Sequence, residues 1–482
     1  MNKQYIHNIF LFFVLGIFFT SCNDFLNVKP KGQLDEDEQF RDIQGFRDAM
    51  YGIYGDMASA NLYGGEMTYG LVDQLGQMFG YDNSMEASNY ITKYDYKHQK
   101  VEPKIDALWN NQYQAISYIN NVLAHIDIAP FSNSELQLMR GECHGLRAFL
   151  HFDMARLYAE DYTRSNDKTR GLPYSLDFNL KNRKLYSLHD TYKLILSDLN
   201  EAEKLLQDDN IVTVSLTPSL NYREDRAVMF NKFAVYATKA RVYYAMGKYD
   251  EAAMYAKKVI ESKSNFTLKK LTSMDNTKRF PATGELIFGL YNTKLSDNIA
   301  KLFLSQTSSG NFTEGRRDID KLYETHDFTA THSDIRYSAY YRINKSGGAS
   351  TSSFIRFLED DSQIKNNPLY GVTLIRLPEM YYILSESLYS KDKNQAIAYL
   401  NEVRHSRGLA DVKAEKVDTK EHFNQEMLRE RMREMPGEGQ VFYALKHYNT
   451  AFTDFRGTTT YQPSNDIFVL PWPKKELEYG NK

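Results

Sequence analysis

The chain has 482 residues, of which 42% are hydrophobic and 25% charged, with a formal charge of −3. A chain of that size can bury most of the surface that its unfolded form exposes. The near-neutral balance excludes the strongly basic field of a nucleic-acid binder, and two cysteines exclude a disulfide-stapled scaffold.

Residues 1–21 read as an export signal, with Lys3 as their one charge, an apolar run from Ile9 to Phe19, and then Thr20 and Ser21 directly before Cys22. The run is too short to span a bilayer. Small residues leading into a cysteine form the pattern of a bacterial lipoprotein, in which the thiol takes a diacylglycerol and becomes the new N-terminus. Several acyl chains on one residue hold stably, because each buried methylene contributes about 0.8 kcal/mol. With Cys22 acylated, Cys143 has no disulfide partner. The expected product is an exported protein anchored to a membrane by lipid at Cys22.

Helical periodicity then dominates. Phe40, Ile43, Phe46, Met50, Ile53, Tyr54 and Met57 recur at steps of three and four, as do Ile105, Leu108, Trp109, Tyr113, Ile116, Leu123 and Ile126. A third helix starts near Asn133 or Ser134 and buries Leu136, Met139, Cys143, Leu146, Leu150, Met154, Leu157 and Tyr158. From Phe233 to Ile260, Ala237, Ala240, Arg241 and Tyr244 precede a turn at Gly247 and Lys248, and Tyr249, Ala252, Ala253, Ala256 and Val259 follow it. That is the pattern of a tetratricopeptide unit, with small residues where two helices pack closely. Leu384, Ala396, Ile397, Leu400 and Val403 echo it between Leu377 and Arg404. The stretches 161–188, 207–225 and 268–371 lack periodicity, apart from a strand signal at 285–291. Loops of such length in a compact body are usually functional. The predicted fold is mostly α: a compact helical domain on a tetratricopeptide-like scaffold with long inserted loops.

No phosphate-binding loop, serine-nucleophile elbow, H-E-x-x-H helix or paired-cysteine zinc spacing is present. His144 and His151 share a helical face and read as two independent core histidines. Asp35 to Glu38 stand before the first helical stripe, where negative charge suits a helix start. Glu426, Glu430 and Glu434, alternating with arginines, read as a solvated helical face. The reading is of a binding protein with no catalytic residues, metal or cofactor. A surface glycoside hydrolase is the disfavoured alternative.

The order of the segments carries more than any one of them. Cys22-Asn23-Asp24-Phe25-Leu26-Asn27-Val28-Lys29-Pro30 opens the mature chain. Leu108 to Tyr113, Asn120 to Leu123, Arg147 to Phe149, Arg156 to Tyr158 and Gly171 to Tyr174 follow. Arg376 to Tyr381, Leu400 to Arg404, Arg407 to Leu409, Glu430 to Glu434, Gly437 to Gln440, Phe442 to Lys446 and Leu470 to Leu477 complete the series. End to end this resembles the SusD/RagB family of outer-membrane nutrient-binding lipoproteins. Pro436 and the Tyr443-to-His447 segment depart from the family pattern. The resemblance implies a lipoprotein that lids a TonB-dependent (SusC-like) outer-membrane transporter, binds a glycan and passes it to the channel for uptake, with an oligopeptide as the alternative ligand. It also implies that Asp24 belongs to an acidic surface-export tag and that the helical-repeat side meets the transporter, while inserted loops contact ligand. The motif residues themselves are expected to be scaffold, with Arg147 and Arg404 pairing buried carboxylates.

These readings divide the mature chain, 22–482, into an N-terminal helical part (22–225), repeat-like helices (226–262 and 375–436), inserted ligand-binding loops (263–374) and a C-terminal loop segment (437–482). A sugar site needs aromatic faces for the apolar side of a pyranose and polar side chains at the rim. The chain holds 36 Tyr and 28 Phe against 2 Trp. Trp109 lies on a core stripe and Trp472 between prolines in a scaffold motif, so tyrosine is the expected platform. Two regions have the right composition: 63–96, and the insertion with Tyr291, Asn292, Phe312, Arg316, Arg317, Tyr340, Tyr341 and Arg342. From them Tyr81, Tyr90 and Tyr340 are the expected stacking residues, and Asp82, Asn83 and Arg342 their polar partners.

Overall fold

Several helices begin where the sequence supplies a side chain to satisfy the orphaned amides of the first turn. In the computed structural model, which describes residues 36–81, 86–215, 219–270, 284–303, 314–324, 334–346, 349–357 and 371–480, Asp42 accepts from Gly45 N at the start of α1 (Ile43–Met57). Pro103 occupies the first turn of α2 (Glu102–Ile128), where no amide is needed. Asn133 caps α3 (Ser134–Tyr158), as the sequence predicts. Ser187 caps α4 (Leu188–Leu205), and Asn231 caps α5 (Lys232–Ala245) through two amides.

The helical stripes become the core. Every residue of the predicted α3 stripe is buried, and so is most of its opposite side, because α1, α2 and α4 all pack on it. α5 and α6 (Tyr249–Ile260) join through Gly247 at φ +71°. Ala237, Ala240, Ala252 and Ala256 lie fully buried along these two helices. α6 in turn packs on α7 (Leu377–Leu388), which pairs with α8 (Lys393–Ser406). The two units read as repeats are therefore neighbours, although a long insertion separates them in sequence. With α3 and α4 they make three stacked helix pairs.

Leu286–Tyr291 (β1) is the strand that the sequence signals. The hairpin strands Tyr341–Ser346 (β2) and Ala349–Phe354 (β3) lie inside the insertion, and Gly371–Arg376 (β4) ends it. β1 pairs antiparallel with β4, from Leu286 opposite Arg376 to Tyr291 opposite Gly371. The insertion thus leaves and re-enters the scaffold through one closed stem.

One expectation fails here. Glu426, Glu430 and Glu434 on α9 (Lys420–Glu434) are not solvated; all three are fully buried. Arg336, from inside the insertion, places Nη1 3.0 Å from Glu430 Oε2 and 2.9 Å from Glu434 Oε2. Arg407 reaches Glu434 at 2.8 Å and Glu285 at 3.0 Å, and Arg376 joins Glu434 to Glu438. Burial alone would raise the Glu430 carboxyl, but the guanidiniums of Arg336, Arg433 and Arg404 outweigh it and hold the group at about 2. The lattice ties the insertion to the scaffold from within.

Candidate functional site

The two regions that the sequence singles out are brought together. Phe79 and Gly80 pair antiparallel with Gly315 and Glu314. The Phe79 ring is buried against Phe303 and Phe354, with centroids 4.9 and 4.8 Å away. A Cβ on Gly80 would sit 2.4 Å from the Phe455 ring, and one on Gly315 would sit 2.5 Å from Ser352 Oγ. Only glycines permit these approaches.

A third segment, read from sequence as C-terminal loop, completes the face. Phe452–Thr453 and Thr460–Tyr461 form a short ribbon. The buried Arg316 joins all three segments. It binds Asp318 at 2.8 and 2.9 Å, the Gln77 carbonyl at 3.1 Å and Thr453 Oγ1 at 2.8 Å. Arg317 donates its amide to the Phe455 carbonyl at 2.7 Å and pairs its half-exposed guanidinium with Glu314.

Beneath the face lie two non-glycine residues in the left-handed region, Gln77 at φ 58° and Tyr94 at φ 59°. Each such residue costs about 1–3 kcal/mol and persists only where its surroundings hold it. Here they hold each other. Gln77 Nε2 donates to the Thr92 carbonyl and to Tyr94 OH, both at 2.9 Å, and its Oε1 accepts from Phe455 N. Tyr94 OH donates to the Leu75 carbonyl at 2.8 Å, and its ring meets Tyr461 edge-on at 5.0 Å. Burial pushes the Tyr94 hydroxyl well up, so it remains a donor.

Of the residues expected to touch ligand, Tyr81 follows this strand pairing and is half-buried. Tyr90 is also half-buried, with its ring stacked on His98 at 3.4 Å between centroids. Arg342 is exposed on β2, opposite Ser353. Asp82 and Asn83 lie outside the described residues. Tyr340 requires correction as a platform: it is 3% exposed, with the Arg356 guanidinium 4.5 Å over its ring. Its helix, Ile335–Tyr340, is drawn inward by Arg336 on the carboxylates of α9. Sequence reasoning missed Gln77, Phe455 and Tyr461. The Arg456-Gly457 turn between Phe452 and Tyr461 is the signal that could have marked a ribbon there.

Among the described residues no group of three His, Cys, Asp or Glu side chains could hold a metal. His144 binds Asp198 at 2.8 Å, while His151 sits buried between the Arg147 carbonyl and Ser175 N. Burial lowers His151 to about 3. Among the same residues no helix is long and apolar enough to cross a membrane. The face is an array of aromatic groups with guanidinium and carboxylate groups at its edge, suited to holding a polyhydroxylated or amide-bearing ligand.

A family model described as starch-binding and associating with the outer membrane matches residues 24–244, and the model of the SusD family matches residues 236–467. The chain belongs to the SusD/RagB family. No curated protein matches it. Among solved structures it is similar to a SusD superfamily protein of Bacteroides thetaiotaomicron, at 18% identity and TM-score 0.72, over 91% of this chain and 98% of that one. A SusD-like carbohydrate binding protein of Bacteroides vulgatus aligns at 17% identity and TM-score 0.68, over 90% and 96%. A laminarin binding SusD-like protein aligns at 18% and 0.63, over 91% and 98%. Likenesses at such identities show a common fold.

Proposed function

We propose that this chain is a lipoprotein of the outer membrane, anchored through Cys22. It binds a glycan on the face built from residues 77–81, 86–98, 314–318 and 452–461 and hands it to a TonB-dependent transporter for uptake. The observation that carries the reading is the convergence of these three segments on strained, mutually bonded residues, with Tyr81 beside them. A family model that names starch binding at the outer membrane, and fold relatives that bind carbohydrate and laminarin, support the ligand class.

In this reading the work is capture. Tyrosine rings cover the apolar face of a sugar, and Arg317, Glu314 and Arg342 exchange water for sugar hydroxyls. No bond is broken. Calorimetry on residues 23–482 with laminarin, starch and mucin-type glycans, and in parallel with mixed oligopeptides, tests it. Heat with a glycan that Tyr81→Ala weakens upholds the proposal. Heat with peptides alone makes the chain an oligopeptide-binding lipoprotein. Release of shortened sugars, abolished by changing one carboxylate, makes it a hydrolase. The anchor is tested separately: Cys22→Ala should abolish palmitate labelling and release the protein from membranes.

A further inference from the structure

Members of all three stacked helix pairs meet around one cavity of about 70 Å³. Arg156 near the end of α3, Tyr192 on α4, Arg241 on α5 and Glu379 on α7 line it, together with Arg431 on α9 and Tyr443 on α10 (Val441–Tyr448). None of them belongs to the face proposed to bind glycan, and Tyr443 falls in the segment that departs from the family pattern.

The charges on this wall are paired, yet the donors are not all used. Arg241 bonds Glu379 through Nε at 2.7 Å and Nη2 at 2.5 Å, and Nη2 also reaches the Leu374 carbonyl at 2.7 Å, while Nη1 has no acceptor. Arg431 pairs Nη2 with Glu386, and its Nε has none. Arg156 pairs Nη2 with Asp153 and Nη1 with Gln440 at 3.1 Å, which leaves Nε over. Its guanidinium lies 3.6 Å above the ring of Tyr443, whose hydroxyl bonds nothing in the chain. Arg241 is 3%, Arg431 5% and Tyr443 8% exposed.

A buried donor has given up its water and gains nothing back until an acceptor replaces it. Four such groups on one cavity call for an acceptor. The wall's own acceptors are engaged: Glu379 by Arg241, Gln440 by Arg156, and Asp161 by Thr163 N at 3.0 Å. The Asp161 charge is answered as well, with Arg164 at 3.4 Å and His447 at 3.8 Å. Water fits, at about 30 Å³ a molecule, but each brings two hydrogens that need acceptors of their own. A sugar hydroxyl brings one. An anion brings none, and it accepts most strongly from guanidinium groups. Lys446 adds a buried ammonium to the same wall, held by the Arg156 carbonyl at 2.7 Å.

We infer that this cavity is a binding site for one small anion, a halide or a short carboxylate, held by Arg156, Arg241, Arg431 and the Tyr443 hydroxyl. The anion ties α3, α5, α9 and α10 together at the point where the helix pairs meet.

Diffraction at the bromine edge from crystals of the mature chain soaked in sodium bromide should show an anomalous peak in the cavity. In solution, melting temperature should rise with bromide over sodium gluconate of equal ionic strength, gluconate being too large to enter, because a ligand of the folded state alone stabilises it by mass action. Tyr443→Phe deletes a hydroxyl that has no partner in the chain. It should leave the melting temperature in gluconate unchanged and weaken bromide about tenfold, the loss expected for one hydrogen bond to a charged group. Sodium formate that abolishes the bromide peak at equal concentration assigns the site to carboxylates, and a peak that persists assigns it to halides. A cavity without a peak holds water and overturns the inference. A peak with no effect of bromide on melting temperature overturns it too, as binding at crystal concentration only. Unchanged bromide affinity in Tyr443→Phe does the same, since the anion then lies away from the donors that define the site.

Discussion

Around Glu434 three guanidinium groups converge on one carboxylate without access to water, whereas around Tyr81 the aromatic and polar groups stop at the surface. Both regions join the insertion to the rest of the chain. The first does so with charges that satisfy one another, which fixes position and leaves nothing for a ligand. The second does so with backbone pairing, Arg316 and two strained residues, which leaves rings and edge charges at the surface. The contrast is sharpest on removing Glu434. Glu434→Ala takes one carboxylate away from Arg336, Arg376 and Arg407, which keep Glu430, Glu438 and Glu285 respectively, and a broken buried ion pair costs about 3–5 kcal/mol. Denaturant titration should show a fall in unfolding free energy of that size. Stability equal to the parent would mean that the lattice contributes no more than a surface network.

Acid attacks the same interior next. Glu430 sits at about 2 when folded against an unfolded value of 4.5, so its stabilisation is complete above pH 4.5 and is lost as pH falls towards 2, about 3 kcal/mol in all. His151 works over a higher window. Its folded value of about 3 lies below the unfolded 6.5, so the unfolded chain takes up a proton first and stability falls with pH from 6.5 downward. Unfolding free energy measured from pH 7 to 3 should decline in two stages, with His151 contributing from pH 6.5 downward and Glu430 adding to it below pH 4.5. His151→Gln should flatten the upper stage and leave the lower one.

The helices were legible because their signals are local: caps at Asn133, a proline in the first turn of α2, small residues at the α5–α6 turn. Pairings were partly legible. Arg147 does bind the buried Asp198, at 2.6 and 2.8 Å, and Arg404 binds Glu430 at 2.7 Å. A helical arginine flanked by apolar residues must find a carboxylate somewhere. The α9 carboxylates misled because a row at i, i+4 reads the same whether water or arginine faces it, and the arginines arrive from residues 336, 376 and 407. Tyr340 misled for the same reason: Arg336, four residues earlier, pulls its helix under the surface. The two halves of the face proposed to bind ligand were visible as compositions. Their meeting, and the third segment at 452–461, depend on strand pairing across hundreds of residues that no local pattern encodes.

Gly80→Ala tests whether close packing shapes the open region. The new methyl must displace the buried Phe455 ring, at about 1–3 kcal/mol. Because Phe455 also accepts the Arg317 amide and donates to Gln77, the displacement should pass to the face, and glycan affinity should fall along with melting temperature. A loss of stability with affinity intact would place the ligand elsewhere.

The smallest effects belong to the surface groups themselves. Tyr81→Ala removes one ring and should weaken glycan binding roughly two- to tenfold, the range expected for about 0.5–1.5 kcal/mol of stacking, with little change in stability. Arg342→Ala should do less, about twofold. An exposed guanidinium is already well hydrated, so a sugar hydroxyl replaces a water at a net gain near the low end of about 0.5–1.5 kcal/mol, and fixing a long side chain takes part of that back. Competition titrations with the same glycan would resolve the two. A tenfold loss at Arg342 would show the contrast to be incomplete, because an arginine can matter that much only when water is excluded from it, and the β2–β3 hairpin would then have to fold over the bound chain.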